Sequence, residues 1–321
     1  MPAGGGSPKP LLEDLPAGSL GAYGRIVYLP CGNCLQCRIA KRRDLTVLQC
    51  LEASMHKWNW FLTLTYDEEH LPANGSLVKE HLSAFCESLR HYCTSINEKF
   101  RFFACGEYGD TYGRPHYHLS VFGLSPDSFH LDINIRSDSR DFLLNSGRFV
   151  CCPQASRDRN GNFFWQSDVI SVRWPYGSHK LYLANSNTFQ YVAGYVTKKL
   201  SGQARRDFES TTGKINIFTK QSRPSIGYPW YERYHDNLLQ EFNGKLYHDF
   251  VSTLDFDWRI PRIMMRWHER RLDSPLLMRR ISLIRSKDMP SVPDRYDLDR
   301  RKLSDELGAR RFKQYNRHKE L

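Results

Sequence analysis

Arg101 to Phe122, RFFACGEYGDTYGRPHYHLSVF, is the stretch that decides the fold. Arg101 to Glu107 reads as a strand, Gly109 to Pro115 as a connection, and His116 to Phe122 as the return strand of an antiparallel pair. Just upstream, Leu82, Phe85, Leu89, Tyr92 and Ile96 recur at helical steps and predict an amphipathic helix. Pro72 to Gly75 is a turn signal, and Phe61-Leu62-Thr63-Leu64-Thr65-Tyr66 has the mixture of β-branched, aromatic and apolar residues of a central strand. Further out, Leu45, Leu48, Leu51, Met55 and Trp58 predict a longer helix with one buried stripe. The order helix, strand, helix, strand, strand is that of an α+β fold with a central antiparallel sheet flanked by helices, not of a doubly wound sheet.

The pattern weakens after Gly123. Asp158 to Asn162 is a hairpin-type turn, and Trp165 to Trp174 is expected to be a strand. Ser186-Asn187-Thr188 offers an N-cap to the helix that follows. Pro224, Gly227 and Pro229 interrupt the chain again, and beyond Asp257 the pattern is helical and basic. The 321 residues carry a net charge of +11, of which +9 lies between Arg259 and Leu321, where 18 Lys/Arg face nine Asp/Glu. Such an excess favours a polyanionic partner, although a solvated helix surface would account for the terminal run equally well. No apolar stretch is long enough for a membrane span, and the Gly/Pro-rich N-terminus lacks the basic and apolar regions of a signal peptide. Nine cysteines, an odd number at low density, point to a reducing compartment and a cytosolic protein.

Two motifs carry chemistry. Side chains alternate along a strand, so His116, His118 and Ser120 share one face while Tyr117, Leu119 and Val121 take the core face. Two neutral imidazoles on a polar face suit a divalent ion. Glu107, nine residues before His116 on the partner strand, is the natural third ligand, leaving open positions for phosphate oxygens and water. An isolated His-x-His would be an exposed polar strand face. Tyr191, Tyr195 and Lys198 fall on one face of a helix. A phenol becomes a competent nucleophile when a metal polarises its target phosphate and a cation favours the phenolate. A second tyrosine one turn away can make a second attack while the first still holds DNA, and Lys198 offers a point charge to the phosphate. A buried aromatic stripe is the alternative reading, weakened by Lys198 and by Lys199 beside it.

Cys31, Cys34 and Cys37 have zinc-like spacing but number three, so a structural Zn²⁺ needs a fourth ligand from Cys50, Cys105, Cys151 or a histidine. Packed thiols or a redox pair are the alternatives. Arg38, Lys41, Arg42 and Arg43 follow as a basic cluster fit to grip phosphates. Trp230, Tyr231, Arg233 and Tyr234 can stack on unpaired bases or belong to the core.

Taken together, these motifs resemble those of the HUH endonuclease superfamily, in particular the replication initiators of small single-stranded DNA phages of the microvirus, gokushovirus-like group. The resemblance covers most of the chain from Cys31 to about Tyr234. It rests on the cysteine opening through Arg38, the strand Phe61 to Tyr66, and Gly106-Glu107-Tyr108-Gly109 leading to Gly113-Arg114-Pro115-His116-Tyr117-His118. It continues through Tyr191 to Lys199 and Ser222 to Gly227. It implies a ferredoxin- or RRM-like core at residues 25–235; the Gly/Pro-rich composition makes 1–24 a flexible tail, and the charge and helical pattern make 236–321 a basic, mainly helical region. It implies a nickase that opens rolling-circle replication and religates unit-length circles. His116, His118 and Glu107 would hold Mg²⁺ or Mn²⁺, Tyr195 would attack first and Tyr191 second. Origin single-stranded DNA would be the substrate, bound also by Arg114 and Lys199, with host DNA polymerase and helicase as partners in the host bacterial cytoplasm; the chain shows no P-loop of its own. A transposase or relaxase is a second reading, and a non-enzymatic nucleic-acid binder with a cysteine knuckle a third.

Overall fold

The computed structural model describes residues 34–109, 112–131, 133, 155–235, 241–242, 245–246 and 261–272. Arg42–Phe242 with Leu246–Met265 form one compact unit, which holds the sheet and the candidate site; of the described residues, 34–41, Lys245 and 266–272 fall in a second unit. Along the chain run α1 (Leu35–Ala53), β1 (Asn59–Tyr66), α2 (Lys79–Ser95), β2 (Arg101–Tyr108), β3 (Pro115–Phe122), the short β4 (Ser156–Arg157) and β5 (Phe163–Phe164), and α3 (Asp168–Arg173). Then follow β6 (Gly177–Leu183), α4 (Ser186–Lys198), α5 (Gly202–Thr212), β7 (Phe218–Gln221), α6 (Tyr228–Tyr234) and α7 (Arg262–Leu272).

Five strands form one sheet in the order β6-β1-β3-β2-β7, every neighbouring pair antiparallel. The fold is α+β, as the element order predicts. Period-two alternation divides the sheet residues. Trp60, Leu62, Leu64 and Tyr66 of β1 and Tyr117, Leu119 and Val121 of β3 pack with Leu82, Phe85 and Leu89 of α2 and with α3 in the main core. The opposite face carries Phe61, Thr63 and Thr65, then Ser120, His118 and His116, then Phe103, Cys105 and Glu107, in register across three strands. It is not an open polar face: α1 and α4 cover it. Gln49 ties them together, accepting a hydrogen bond from Ser120 Oγ at 2.6 Å and donating to the Phe189 carbonyl at 3.3 Å.

Glu52 pins α1 to the rest. Its fully buried carboxylate pairs with Arg101 and accepts the Gly227 backbone N–H at 2.7 Å, while Arg101 also donates to the carbonyls of Pro224 and Ser225.

Several expectations need correction. The first helix stops at Ala53, so Met55 and Trp58 lie beyond it and Trp58 reaches the core from the connection. On α2 the stripe ends at the buried Cys93, whereas Ile96 is exposed. Trp165 to Trp174 is not a strand: after the bridge from Trp165 to Leu181 the chain turns into α3. There Trp165, Val169, Ile170 and Trp174 follow a helical spacing that brings all four into the core. The N-cap of α4 is Asn185, one residue before the expected segment, with Thr188 completing a capping box. Trp230 and Tyr231 are buried in α6, as core residues. The hairpin turn at Asp158 forms, closed by the Gly161 N–H on the Asp158 carbonyl. Residues 1–33, with Cys31, Cys151, and most of 236–321 lie outside the described residues.

Candidate active site

The strand pair β2–β3 sets Glu107 directly opposite His116, and Cys105 opposite His118. From there the Glu107 carboxylate reaches along the face to His118, with Oε1 2.9 Å from Nε2. On its other side the His118 ring meets Thr63 of β1, Nδ1 to Oγ1 at 3.1 Å. With Nε2–H donating to the Glu107 carboxylate, Nδ1 accepts from the Thr63 hydroxyl, so the two contacts together orient the ring. His116, half-buried, donates from Nδ1 to the Arg114 carbonyl at 2.6 Å, which leaves the Nε2 lone pair facing outward from that bond. Burial pulls the His116 pKa below its ordinary value, and the neutral ring is the form that binds metals. Gly109 lies close by: a β-carbon there would stand 3.3 Å from His116 Cε1.

Helix α4 brings the tyrosines down on this cluster. Its capping box at Asn185 starts the helix, and the three- and four-residue steps then turn Tyr191, Tyr195 and Lys198 toward the sheet. The Tyr195 ring stacks on His118, centroids 5.2 Å apart and planes within 4°. The Tyr191 ring meets His118 edge-on at 5.4 Å. The Tyr195 hydroxyl hydrogen-bonds to both Glu107 and Tyr191. Lys198 Nζ lies 5.3 Å from the Tyr195 ring and 3.9 Å from Glu107 Oε2. All six groups, two strands and one helix apart in sequence, meet in one place.

Their state differs from a simple activated phenolate. Tyr195 is 2% exposed, and burial above all, then the neighbouring Tyr191 and Glu107, drives its pKa well above the ordinary phenol value. Tyr195 is therefore held as a phenol beside the Glu107 carboxylate. The donor set of two imidazoles and a carboxylate fits a divalent ion in kind. Among the described residues no trio of His, Cys, Asp and Glu is drawn together as a formed metal cage, and His118 and Glu107 are hydrogen-bonded to one another.

Other predicted residues are placed less tellingly. Arg114 donates through Nε and Nη2 to the Tyr66 carbonyl and pairs with Glu68, so it braces the end of β1. Lys199 is the C-cap of α4. Arg42 lies against α4, its Nε 3.7 Å from where a β-carbon on Gly194 would stand. Arg43 pairs with Asp44, Arg38 is half-buried and Lys41 exposed. Cys34, just before α1, is exposed, and Cys37 in its first turn is half-buried. Cys50 and Cys105 are buried, and burial pushes the Cys50 thiol up to about 12, against the thiolate a zinc site needs. Thr63 and Gln49 were not singled out from the sequence; the register of β1 against β3 is the signal that finds Thr63.

A cavity of about 680 Å³ opens on the Tyr191 side of the cluster, between the β4–β5 hairpin, β6 and the first turn of α4. Among the described residues no helix is long and apolar enough to cross a membrane.

Residues 59–200 match the family model "Replication-associated protein ORF2/G2P". The chain is similar to the replication-associated protein ORF2 of Spiroplasma virus 4, 32% identical over 59% of this chain and 54% of that protein. It is also similar to the replication-associated protein ORF4 of Chlamydia phage 1, 29% identical over 66% of this chain and 48% of the relative. The replication-associated protein VP4 of Bdellovibrio phage phiMH2K is 27% identical over 65% of this chain and 59% of its own. The chain thus spans about half the length of these relatives. No solved structure matches it.

Proposed function

We propose, on the premise that residues 59–200 are a replication-associated ORF2/G2P region, that the protein is a metal-dependent strand transferase of the HUH class. It nicks single-stranded DNA at a phage origin, keeps the strand through a phosphotyrosine, and later rejoins it. The observation that carries this reading is the Tyr195 hydroxyl bonded to Glu107 while its ring stacks on His118. A structural aromatic stripe has no need of a carboxylate at its hydroxyl and an imidazole under its ring.

A bound Mg²⁺ or Mn²⁺, held by His116, His118 and Glu107, would polarise the scissile phosphate. The Tyr195 oxygen attacks phosphorus as its proton leaves along the hydrogen bond to Glu107. The bond from phosphorus to the 3′-oxygen breaks, and that oxygen leaves with a proton from solvent as a free 3′-hydroxyl. One phosphoester replaces another of similar energy, so the reverse attack reseals the strand without a nucleotide cofactor. Lys198 supplies fixed positive charge beside the reacting atoms. Tyr191, hydrogen-bonded to Tyr195, would make the second attack. The ferredoxin-like core, the host cytoplasm as the compartment, and host polymerase and helicase as partners belong to the same proposal, as does a basic C-terminal region on DNA.

The test is incubation of the purified protein with labelled single-stranded oligonucleotides tiling the cognate phage origin and Mn²⁺, followed by denaturing electrophoresis. An SDS-stable adduct that disappears in the His116→Ala, His118→Ala double variant is expected. Absence of any adduct on every strand sinks the enzymatic reading and leaves a DNA binder.

A further inference from the structure

The β4–β5 hairpin takes no part in the chemistry above, yet its turn closes one wall of the cavity beside Tyr191. The cavity walls are aromatic: Phe61 from β1, Phe163 from β5 and Tyr182 from β6, with the Phe61 and Tyr182 centroids 5.6 Å apart. The rim is amide, from Asn160 in the turn and the exposed Asn187 at the start of α4. Asp158, the acid in this lining, is already engaged. Its Oδ1 accepts the N–H groups of Asn160 and Asn162 at 2.9 Å, and its Oδ2 accepts from Asn162 Nδ2 at 3.2 Å and Tyr182 at 3.4 Å. The acid thereby stiffens the turn and ties it to β6, its oxygens already committed to these donors. Two cations flank the walls, Arg157 over Phe163 at 4.3 Å and Lys180 over Phe164 at 4.8 Å.

Flat apolar walls, an amide rim and flanking cations are the chemistry of one unpaired nucleobase with its phosphate outside. Aromatic faces stack bases, amides read base edges, and cations meet the backbone. The volume lies in the ~300–1,000 Å³ range of small-ligand sites. Position agrees as well: Phe61 touches the Tyr191 ring edge-on at 5.8 Å, so a base in the cavity sits one ring away from the tyrosine pair.

We infer that this cavity holds a base flanking the scissile phosphate, and that the hairpin Ser156–Phe164 determines which base is accepted. The inference rests on the single-stranded DNA reading above and names the part of that substrate recognised beside the chemistry.

Fluorescence anisotropy of the full chain tests it, at fixed salt, with fluorescein-labelled dA, dC and dT 12-mers and a 12-mer lacking all its bases. Phe163→Ala should weaken dT binding by about five- to a hundredfold, the range of ~1–3 kcal/mol for one stacked base. Binding of the baseless strand should stay within about twofold. Asn160→Ala, at an exposed turn position, should reorder the preference among dA, dC and dT. Equal losses on dT and on the baseless strand, or none on either, overturn the base pocket; an unchanged order of preference in Asn160→Ala overturns the role of the hairpin. Circular-dichroism melts of both variants exclude unfolding as the cause. An adduct formed by a protein whose base preference ignores these residues defeats only the pocket. Hairpin-dependent base preference in a protein that forms no adduct defeats only the strand-transfer reading.

Discussion

Tyr195→Phe separates chemistry from packing at the centre of the site. The substitution keeps the ring stacked on His118 at 5.2 Å and deletes the hydroxyl alone. The lost oxygen is bonded to Glu107 and Tyr191. Glu107 would still hold His118 at 2.9 Å and Lys198 at 3.9 Å, so its carboxylate is not stranded. The cost therefore belongs near the low end for a hydrogen bond to a charged group, about 1–2 kcal/mol. For a unit of this size that is a fall in Tm of about 2–8 °C, measurable by calorimetry and too small to unfold the protein at assay temperature. The adduct, by contrast, should vanish below detection with Mn²⁺ and origin oligonucleotide, while Tyr191→Phe keeps it within about tenfold of the parent protein. Peptide mapping of the parent adduct should place the phosphodiester on Tyr195. Undiminished adduct in Tyr195→Phe, or a label on Tyr191 at the first nick, would refute the assignment of the first attack. Loss of the adduct with a collapse in Tm far beyond that range would refute the claim that the hydroxyl acts chemically.

Thr63→Val removes the hydroxyl that holds His118 Nδ1 at 3.1 Å and should weaken Mn²⁺ binding by about 10- to 100-fold, read by titration calorimetry; affinity within twofold of the parent would show that this contact does not orient a ligand. Glu52→Ala leaves Arg101 Nε and the buried Gly227 N–H without their acceptor and should cost about 3–5 kcal/mol in urea denaturation, with a loss under 1 kcal/mol counting against the pin between α1 and β2. His179, buried and accepting the Ser167 N–H at 2.9 Å, has its pKa pulled from about 6.5 down to about 4 by burial. Between those values the unfolded chain binds a proton that the folded one does not, so stability is full above pH 6.5 and declines by up to about 3 kcal/mol toward pH 4. His179→Gln, which retains an acceptor, should flatten that part of the curve; an unchanged slope would assign it to other groups.

Two kinds of pattern made the site readable before any coordinates. Alternation along His116 to Val121 separated the imidazoles from the core residues, and the turn at Gly109–Pro115 fixed where Glu107 had to lie; register then delivered Glu107 opposite His116. Helical steps placed Tyr191, Tyr195 and Lys198 together for the same reason. What stayed hidden depends on contacts distant in sequence. The histidine face reads as polar, and nothing local tells that α1 and α4 close over it through Gln49. Likewise Trp165 to Trp174 has strand-like composition, and the helix wins because four of its residues fill a core built by α2 and β1.

That closing cover changes the chemistry expected of the tyrosine. On an open face, Lys198 beside a phenol would favour the phenolate. Under α4, desolvation outweighs a cation 5.3 Å from the ring, and the phenol keeps its proton. Activation must then come from something that arrives with the substrate. The positive charge of a metal ion would stabilise the phenolate beside Glu107, and the incoming phosphodiester would take up the face that Tyr191 now shares with the cavity. On the strand-transfer reading, such a site would stay inert toward water and toward chance strands, since Tyr195 would become competent only when ion and DNA are both seated. The same burial that gives Tyr195 the look of a core residue would thus restrict its reactivity to the loaded complex.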